Sequence, residues 1–284
     1  MSDQEIRFFF LLFAFFSTWF GACVGSFLNV CIYRIPRDES VVKPRSHCPH
    51  CGTMIPWYLN IPVLSWLCLR GKCASCKGPI SFRYTLVELL TALLFLAVFM
   101  KWATPHAIHM LPITQPFIVP VYWLFLAGLI LGTFVDFEHF IIPDSVTIGG
   151  MLVGPILCAL VPSLQSQDVW WRGLLSSCIG LATGFGLLYA VAWIGEKAFK
   201  KEAMGFGDVK LMGAIGAFLG WQATLFTVFL SSLLGSICGL LLIALGGAKM
   251  QSRIPFGPYL SAAAMIWAFW GPALFHAYLK LLAR

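Results

Sequence analysis

Five carboxylates in this chain sit where an apolar sequence leaves little room for charge, and four cysteines sit at metal-binding spacing. Of the twelve acidic residues, Asp3, Glu5, Asp38, Glu39, Asp168, Glu196 and Glu202 fall in polar stretches and read as solvated. Glu88, Asp136, Glu138, Asp144 and Asp208 fall in or beside long apolar runs. There a carboxylate is costly and is a functional candidate by default. Asp136 closes one run, in Gly132-Thr-Phe-Val-Asp136-Phe-Glu138, and Asp208 opens another, in Gly205-Phe-Gly-Asp208-Val-Lys210. Two carboxylates brought together can hydrolyse a peptide without a covalent nucleophile. The ionised one takes a proton from water, and the protonated one donates to the carbonyl oxygen, because two such groups at close range do not both ionise readily. No paired Ser-His or Cys-His arrangement competes. Gly205 and Gly207 leave bare main chain for another backbone to approach, and a helix starting near Asp208 favours the anion there, which leaves its partner to hold the shared proton. Plainer readings stand beside this one: Asp208 as a helix N-cap, and Asp136 as an interfacial charge. Asp144, after Pro143, is expected to be an N-cap, and Glu138 to be exposed in a short loop. Glu88 has three readings: snorkelling, pairing with Arg83, or lining a polar pocket.

The cysteines are Cys48-Pro-His-Cys51 and, after 21 residues, Cys73-Ala-Ser-Cys76. Two C-x2-C knuckles at this separation match four-thiolate zinc sites, each knuckle offering two ligands to one tetrahedron. Gly52 and Gly78 supply the expected tight turns. Free thiols or a redox pair are the competing readings, and His47 or His50 is a conceivable substitute ligand. Cys23, Cys31, Cys68, Cys158, Cys178 and Cys238 lack such spacing and read as small buried apolar residues. Pro56 to Leu67 is apolar but broken by prolines, which suits a small fold packed on the metal site or on a membrane surface. A metal would help so short a segment fold.

The elements that must position these groups are membrane spans. Of 284 residues, 59% are hydrophobic and 11% charged, against about 25% charged in a soluble domain. Apolar runs long enough to cross a hydrocarbon core are expected at about 8–30, 84–101, 117–135, 145–162, 170–194, 208–222, 223–246 and 258–280. The break at Trp221-Gln222 is the weakest. The first run is too long for a signal peptide and reads as a retained helix. Expected, then, is an all-α polytopic membrane protein of about eight transmembrane helices with a small cytosolic, zinc-ribbon-like four-cysteine insertion. The divisions are 1–30 (first helix), 31–83 (cysteine-rich segment) and 84–284 (bundle). Arg34, Arg37, Lys43, Arg45, Arg70, Lys72, Lys77 and Arg83 lie in 31–83; Lys197, Lys200 and Lys201 in 195–207; Lys249 and Arg253 in 247–257. Only Arg7, Lys101, Arg172, Lys280 and Arg284 fall on the other side. The positive-inside rule therefore puts the cysteine segment, Asp136 and Asp208 at the cytosolic face. The net charge of +7 is a topology signal, and nucleic acid has no place in this reading; lipid does. Gly21/Gly25, Gly216/Gly220 and Gly235/Gly239 have the small-xxx-small spacing of close helix contacts.

Taken in order, these motifs resemble the bacterial type IV prepilin peptidases, a resemblance that covers nearly the whole chain. Gly25-Ser-Phe-Leu-Asn-Val-Cys-Ile-Tyr-Arg-Ile-Pro36, the paired knuckles, Arg83-Tyr-Thr-Leu-Val-Glu88-Leu-Leu-Thr91, the stretch from Asp136 to Ile142-Pro143-Asp144, Gly205-Phe-Gly-Asp208 and Ile254-Pro-Phe-Gly-Pro258 each match a family signature. The resemblance implies that Asp136 and Asp208 are the two catalytic aspartates of a GxGD-type aspartyl protease. The substrates it implies are prepilins or type II secretion pseudopilins, cleaved after a glycine at the cytosolic face of the inner membrane. It implies a second activity, N-methylation of the new first residue with S-adenosylmethionine, tied to segment 31–83. No S-adenosylmethionine fingerprint is visible in the sequence. A presenilin-like protease, a proton-coupled transporter and a non-catalytic pilus-assembly scaffold are the alternatives.

Overall fold

The computed structural model describes residues 3–103, 117–200, 204–245 and 254–282. Lys201, Glu202, Lys249, Arg253 and Arg284 lie outside the described residues. Helices in chain order are α1 Asp3–Arg34, α2 Leu64–Cys68, α3 Phe82–Trp102, α4 Ile118–His139, α5 Asp144–Leu160, α6 Trp170–Phe199, α7 Phe206–Leu219, α8 Trp221–Ala244 and α9 Gly257–Leu282. Among the described residues there is no β-strand, only isolated bridges between His47 and Met54 and between Lys72 and Pro79. Each expected span falls on a helix. Six of these helices (α1, α3, α4, α6, α8 and α9) are long and apolar enough to cross a membrane. The other two are shorter: α5 has 17 residues and α7 has 14. At 1.5 Å per residue α7 reaches only about 21 Å, so the expected count of eight full spans is not confirmed. Apolar side chains such as Phe8, Leu11, Phe13, Leu152, Phe229 and Leu240 point outward, as lipid requires.

The chain divides into two compact units, Met1–Leu131 and Gly132–Arg284. In the first, α1 lies along α3. Gly21 and Gly25 make that contact possible: a Cβ at Gly21 would sit 2.8 Å from the Phe95 Cβ, and one at Gly25 would sit 2.7 Å from the Glu88 Cα. Phe95 stacks on Trp123 at 5.0 Å, and the Trp123 indole donates to the Phe95 carbonyl at 3.0 Å.

In the second unit, α7 is enclosed by α5 and α6, and its residues from Asp208 to Leu219 are buried apart from Lys210. Gly180 and Gly184 of α6 face the Gly216 and Met212 carbonyls so closely that any Cβ would overlap them. On the α5 side, a Cβ at Gly150 or Gly154 would sit 2.8 Å from the Cβ of Ala214 or Ala217. The break at Trp221-Gln222 is a real helix end. Gly220 adopts φ +86°, a left-handed conformation that stops α7 at little steric cost and lets α8 begin at Trp221.

Candidate active site

Asp136 and Asp208 come from the ends of two helices of the second unit. α4 stops at His139 because Phe140 turns into the left-handed region, φ 54°, with its N–H donating to the Asp136 carbonyl at 3.0 Å. Pro143 then precedes the first residue of α5. This tight reversal brings Ile142 against Gly207 and Gly257. A Cβ on Gly207, next to Asp208, would lie 3.4 Å from the Ile142 Cβ; one on Gly257 would lie 3.0 Å from the Ile142 Cδ1. The backbone that approaches Gly207 is thus the chain's own, with the Ile142 nitrogen 3.6 Å from that Cβ position.

Both carboxyl groups are nearly closed off from solvent, Asp136 at 5% exposure and Asp208 at 8%, and the charge of Asp136 acts on Asp208. The Gly257 N–H donates to Asp136 Oδ2 at 3.0 Å. A side chain at 257 would displace that carboxylate, since a Cβ there would sit 2.8 Å from the same oxygen. Asp208 Oδ1 is buried with no hydrogen-bond partner. The N-cap of α7 is Gly205, and Asp208 lies in the first turn, so capping does not explain Asp208. Asp144 is also not an N-cap: Pro143 holds that position, and Asp144 instead pairs with Lys210, Oδ1 to Nζ 2.6 Å. Glu138 is exposed, but in the last turn of α4 rather than in a loop.

In the first unit the four sulfurs of Cys48, Cys51, Cys73 and Cys76 lie within 4.8 Å of one another. The knuckles are alike: Cys48 N–H donates to the Thr53 carbonyl and Cys73 N–H to the Gly78 carbonyl. The left-handed residue is Gly52, φ 68°, in the first and Lys77, φ 58°, in the second. Gly78 is needed for another reason, because a Cβ there would meet the His50 ring at 3.1 Å. No histidine joins the cluster among the described residues. The thiols share protons unequally. The Thr53 hydroxyl and backbone hold Cys51 down to about 6. At Cys76 the Gly78 amide pulls downward, but burial and the three neighbouring thiols prevail and push it up to about 11. The segment between the knuckles is pinned by Trp66, whose indole donates to the Ile80 carbonyl at 3.1 Å and lies 3.0 Å from a Cβ on Gly71.

Glu88 neither snorkels nor stands alone. It is 9% exposed; its Oε2 accepts the Val63 N–H at 2.7 Å, and the Ser26 hydroxyl also bonds to it. Arg34 is buried as well, donating to the Ser40 and Pro44 carbonyls at 2.8 Å each.

Two family models match this chain: the Bacterial Peptidase A24 N-terminal domain over residues 19–102 and the Type IV leader peptidase family over 123–240. Proteins named prepilin leader peptidase/N-methyltransferase are similar along most of the length. That of Myxococcus xanthus is 40% identical, covering 93% of this chain and 74% of its own. That of Aeromonas hydrophila is 38% identical, covering 92% and 91%, and that of Pseudomonas aeruginosa 35%, covering 92% and 91%. The chain belongs to the type IV leader peptidase family. It is an aspartic-type membrane peptidase with an associated methyltransferase activity, which sets aside the transporter and scaffold alternatives. No solved structure matches it.

Within this leader peptidase three site neighbours were not evident in the sequence: Ile142, Lys210 and the Gly257 amide. A backbone donor leaves no mark in side-chain chemistry. The one available signal was a glycine between two prolines, in Ile254-Pro-Phe-Gly257-Pro258.

Proposed function

We propose that Asp136 and Asp208 together hydrolyse the leader of a prepilin or type II secretion pseudopilin, and that the chain then N-methylates the exposed residue. The observation that carries the first half is the burial of two carboxyl groups in one unit, with the charge of Asp136 acting on Asp208. The helix start at Asp208 suggests the anion there, but an N–H donated to a carboxylate favours its charged form, and the Gly257 amide is bonded to Asp136, which gives the ionised role to Asp136 instead. Asp208, whose Oδ1 has no partner, carries the proton. Water placed between them loses a proton to Asp136 as its oxygen attacks the scissile carbonyl carbon. Asp208 donates its proton to the carbonyl oxygen. The tetrahedral diol then collapses: the C–N bond breaks, Asp136 returns its proton to the leaving amine, and a diol hydroxyl reprotonates Asp208. General acid–base help of this kind supplies about 10²–10⁴-fold.

The methyl step needs S-adenosylmethionine, which when bound supplies an electrophilic methyl group on a sulfonium. The chain's own part is to hold the donor and the new amine, and segment 31–83 is the proposed place. Its four thiols suit a structural zinc. Zn–S bonds of 2.3 Å at a tetrahedral centre set sulfurs about 3.8 Å apart, and Cys48 and Cys76 Sγ are 3.8 Å apart. The positive-inside argument orients this segment and both aspartates toward the cytosol at the inner membrane. Mass spectrometry of a prepilin co-expressed with the chain tests the reading. The expected product lacks its leader and carries one added methyl; a full-length prepilin refutes the peptidase half, and a cleaved but unmethylated one refutes the second.

A further inference from the structure

We infer that the first unit contains the pocket for the methyl donor, with the Glu88 carboxylate as counter-charge to its sulfonium. This rests on the methyltransferase reading above. A cavity of about 400 Å³ opens between the C-terminal half of α1 and the segments around 41–46 and 60–62. That is within the range of small-molecule sites, roughly 300–1,000 Å³. It is preformed, because the buried Arg34 guanidinium ties the Ser40 and Pro44 carbonyls to the end of α1. Its lining joins apolar surface for a heterocycle (Phe27, Val30, Pro62) to polar groups that include Ser26, Arg45 and Asn60.

The charge pattern selects the ligand. Behind this wall lies Glu88, bonded to the Ser26 hydroxyl that lines the cavity and to the Val63 N–H beside the lining Pro62. Those partners are neutral, so the carboxylate biases this side of the cavity toward a cation. Arg34 and Arg45, both in the lining, supply positive charge for the ligand's carboxylate. S-adenosylmethionine has the complementary set: a sulfonium and ammonium, a carboxylate, and an adenine to lie on Phe27. A merely structural Glu88, holding Val63 in its left-handed conformation (φ 62°), would treat charged and uncharged ligands alike.

S-adenosylhomocysteine lacks the methyl and the sulfonium charge and is the discriminating probe. Equilibrium dialysis of the full-length protein in detergent would measure both ligands on wild type, Glu88→Gln and Val42→Trp. Val42 lines the cavity and is 76% exposed, so its replacement fills the pocket without disturbing the core. Expected are a loss of about tenfold for S-adenosylmethionine in Glu88→Gln, a much smaller loss for S-adenosylhomocysteine, and weakened binding of both in Val42→Trp. Equal losses of both ligands in a Glu88→Gln protein that keeps its fold overturn the counter-charge. Unchanged binding in Val42→Trp overturns the pocket, a result that stands even if Glu88→Gln fails to fold. Wild-type protein that binds neither ligand refutes the methyltransferase reading as well, while leaving leader cleavage untouched.

Discussion

The thiol cluster and the carboxylate pair are assembled in opposite ways. Each half of the thiol cluster is a six-residue turn closed by its own backbone hydrogen bonds, Cys48 to Thr53 and Cys73 to Gly78. Little outside segment 46–80 is needed to shape it. The carboxylates stand on different helices, α4 and α7, and their placement depends on the left-handed turn at Phe140, the Gly257 amide, and the glycine contacts that seat α7 between α5 and α6. Damage to the first site should therefore stay local, whereas the second is vulnerable to changes far from its chemistry.

The sharpest test of this contrast is replacement of one aspartate. Asp136→Asn or Asp208→Asn should lower leader cleavage by about 10²–10⁴-fold or more, with membrane insertion and metal content at wild-type levels by elemental analysis. The converse change, Cys48→Ser or Cys73→Ser, should abolish stoichiometric zinc and expose segment 46–80 to limited proteolysis, since structural zinc sites in peptides contribute about 10–16 kcal/mol to folding. Acidification should release the metal for the same reason. Only thiolates ligate zinc, so protons compete with the metal for the four sulfurs as pH falls. Dialysis across a pH series would show this.

Next in size is Gly180→Leu. Its side chain would run into the Gly216 carbonyl and shift α7, and a displacement near 1 Å at a catalytic group costs about 10²-fold. Zinc binding, in the other unit, should not respond. Gly257→Ala is a smaller intrusion beside Asp136 Oδ2, and should slow cleavage about tenfold, within the effect of a sub-ångström misplacement. The least effect is expected from Lys210→Met. Its partner Asp144 is 62% exposed, and such pairs contribute about 0–1 kcal/mol, so a thermal melt should barely move.

The same contrast explains what the sequence disclosed. The thiol site was legible because C-x2-C repeats fix ligand geometry locally; only the assignment of the second turn to Gly78, rather than Lys77, failed. The helices were legible from apolar runs, but α5 and α7 are shorter than full spans, because α7 is buried by neighbouring helices rather than by lipid and needs no membrane-crossing length. Asp136 and Asp208 stood out as costly charges, yet the contacts that surround them, Gly257 on Asp136 and Ile142 against Gly207 and Gly257, are long-range results with no periodic signal. Asp144 looked like a cap because it follows Pro143, while its Lys210 partner lies on another helix and cannot be read from local order.

The most direct measurement compares the Asp136→Asn, Asp208→Asn and doubly substituted proteins in cleavage of a synthetic prepilin leader peptide. Groups that act as one unit are strongly non-additive. The account predicts that all three fall to about the same residual rate. Losses that multiply in the double variant, or a single variant that cleaves at the wild-type rate, would contradict it.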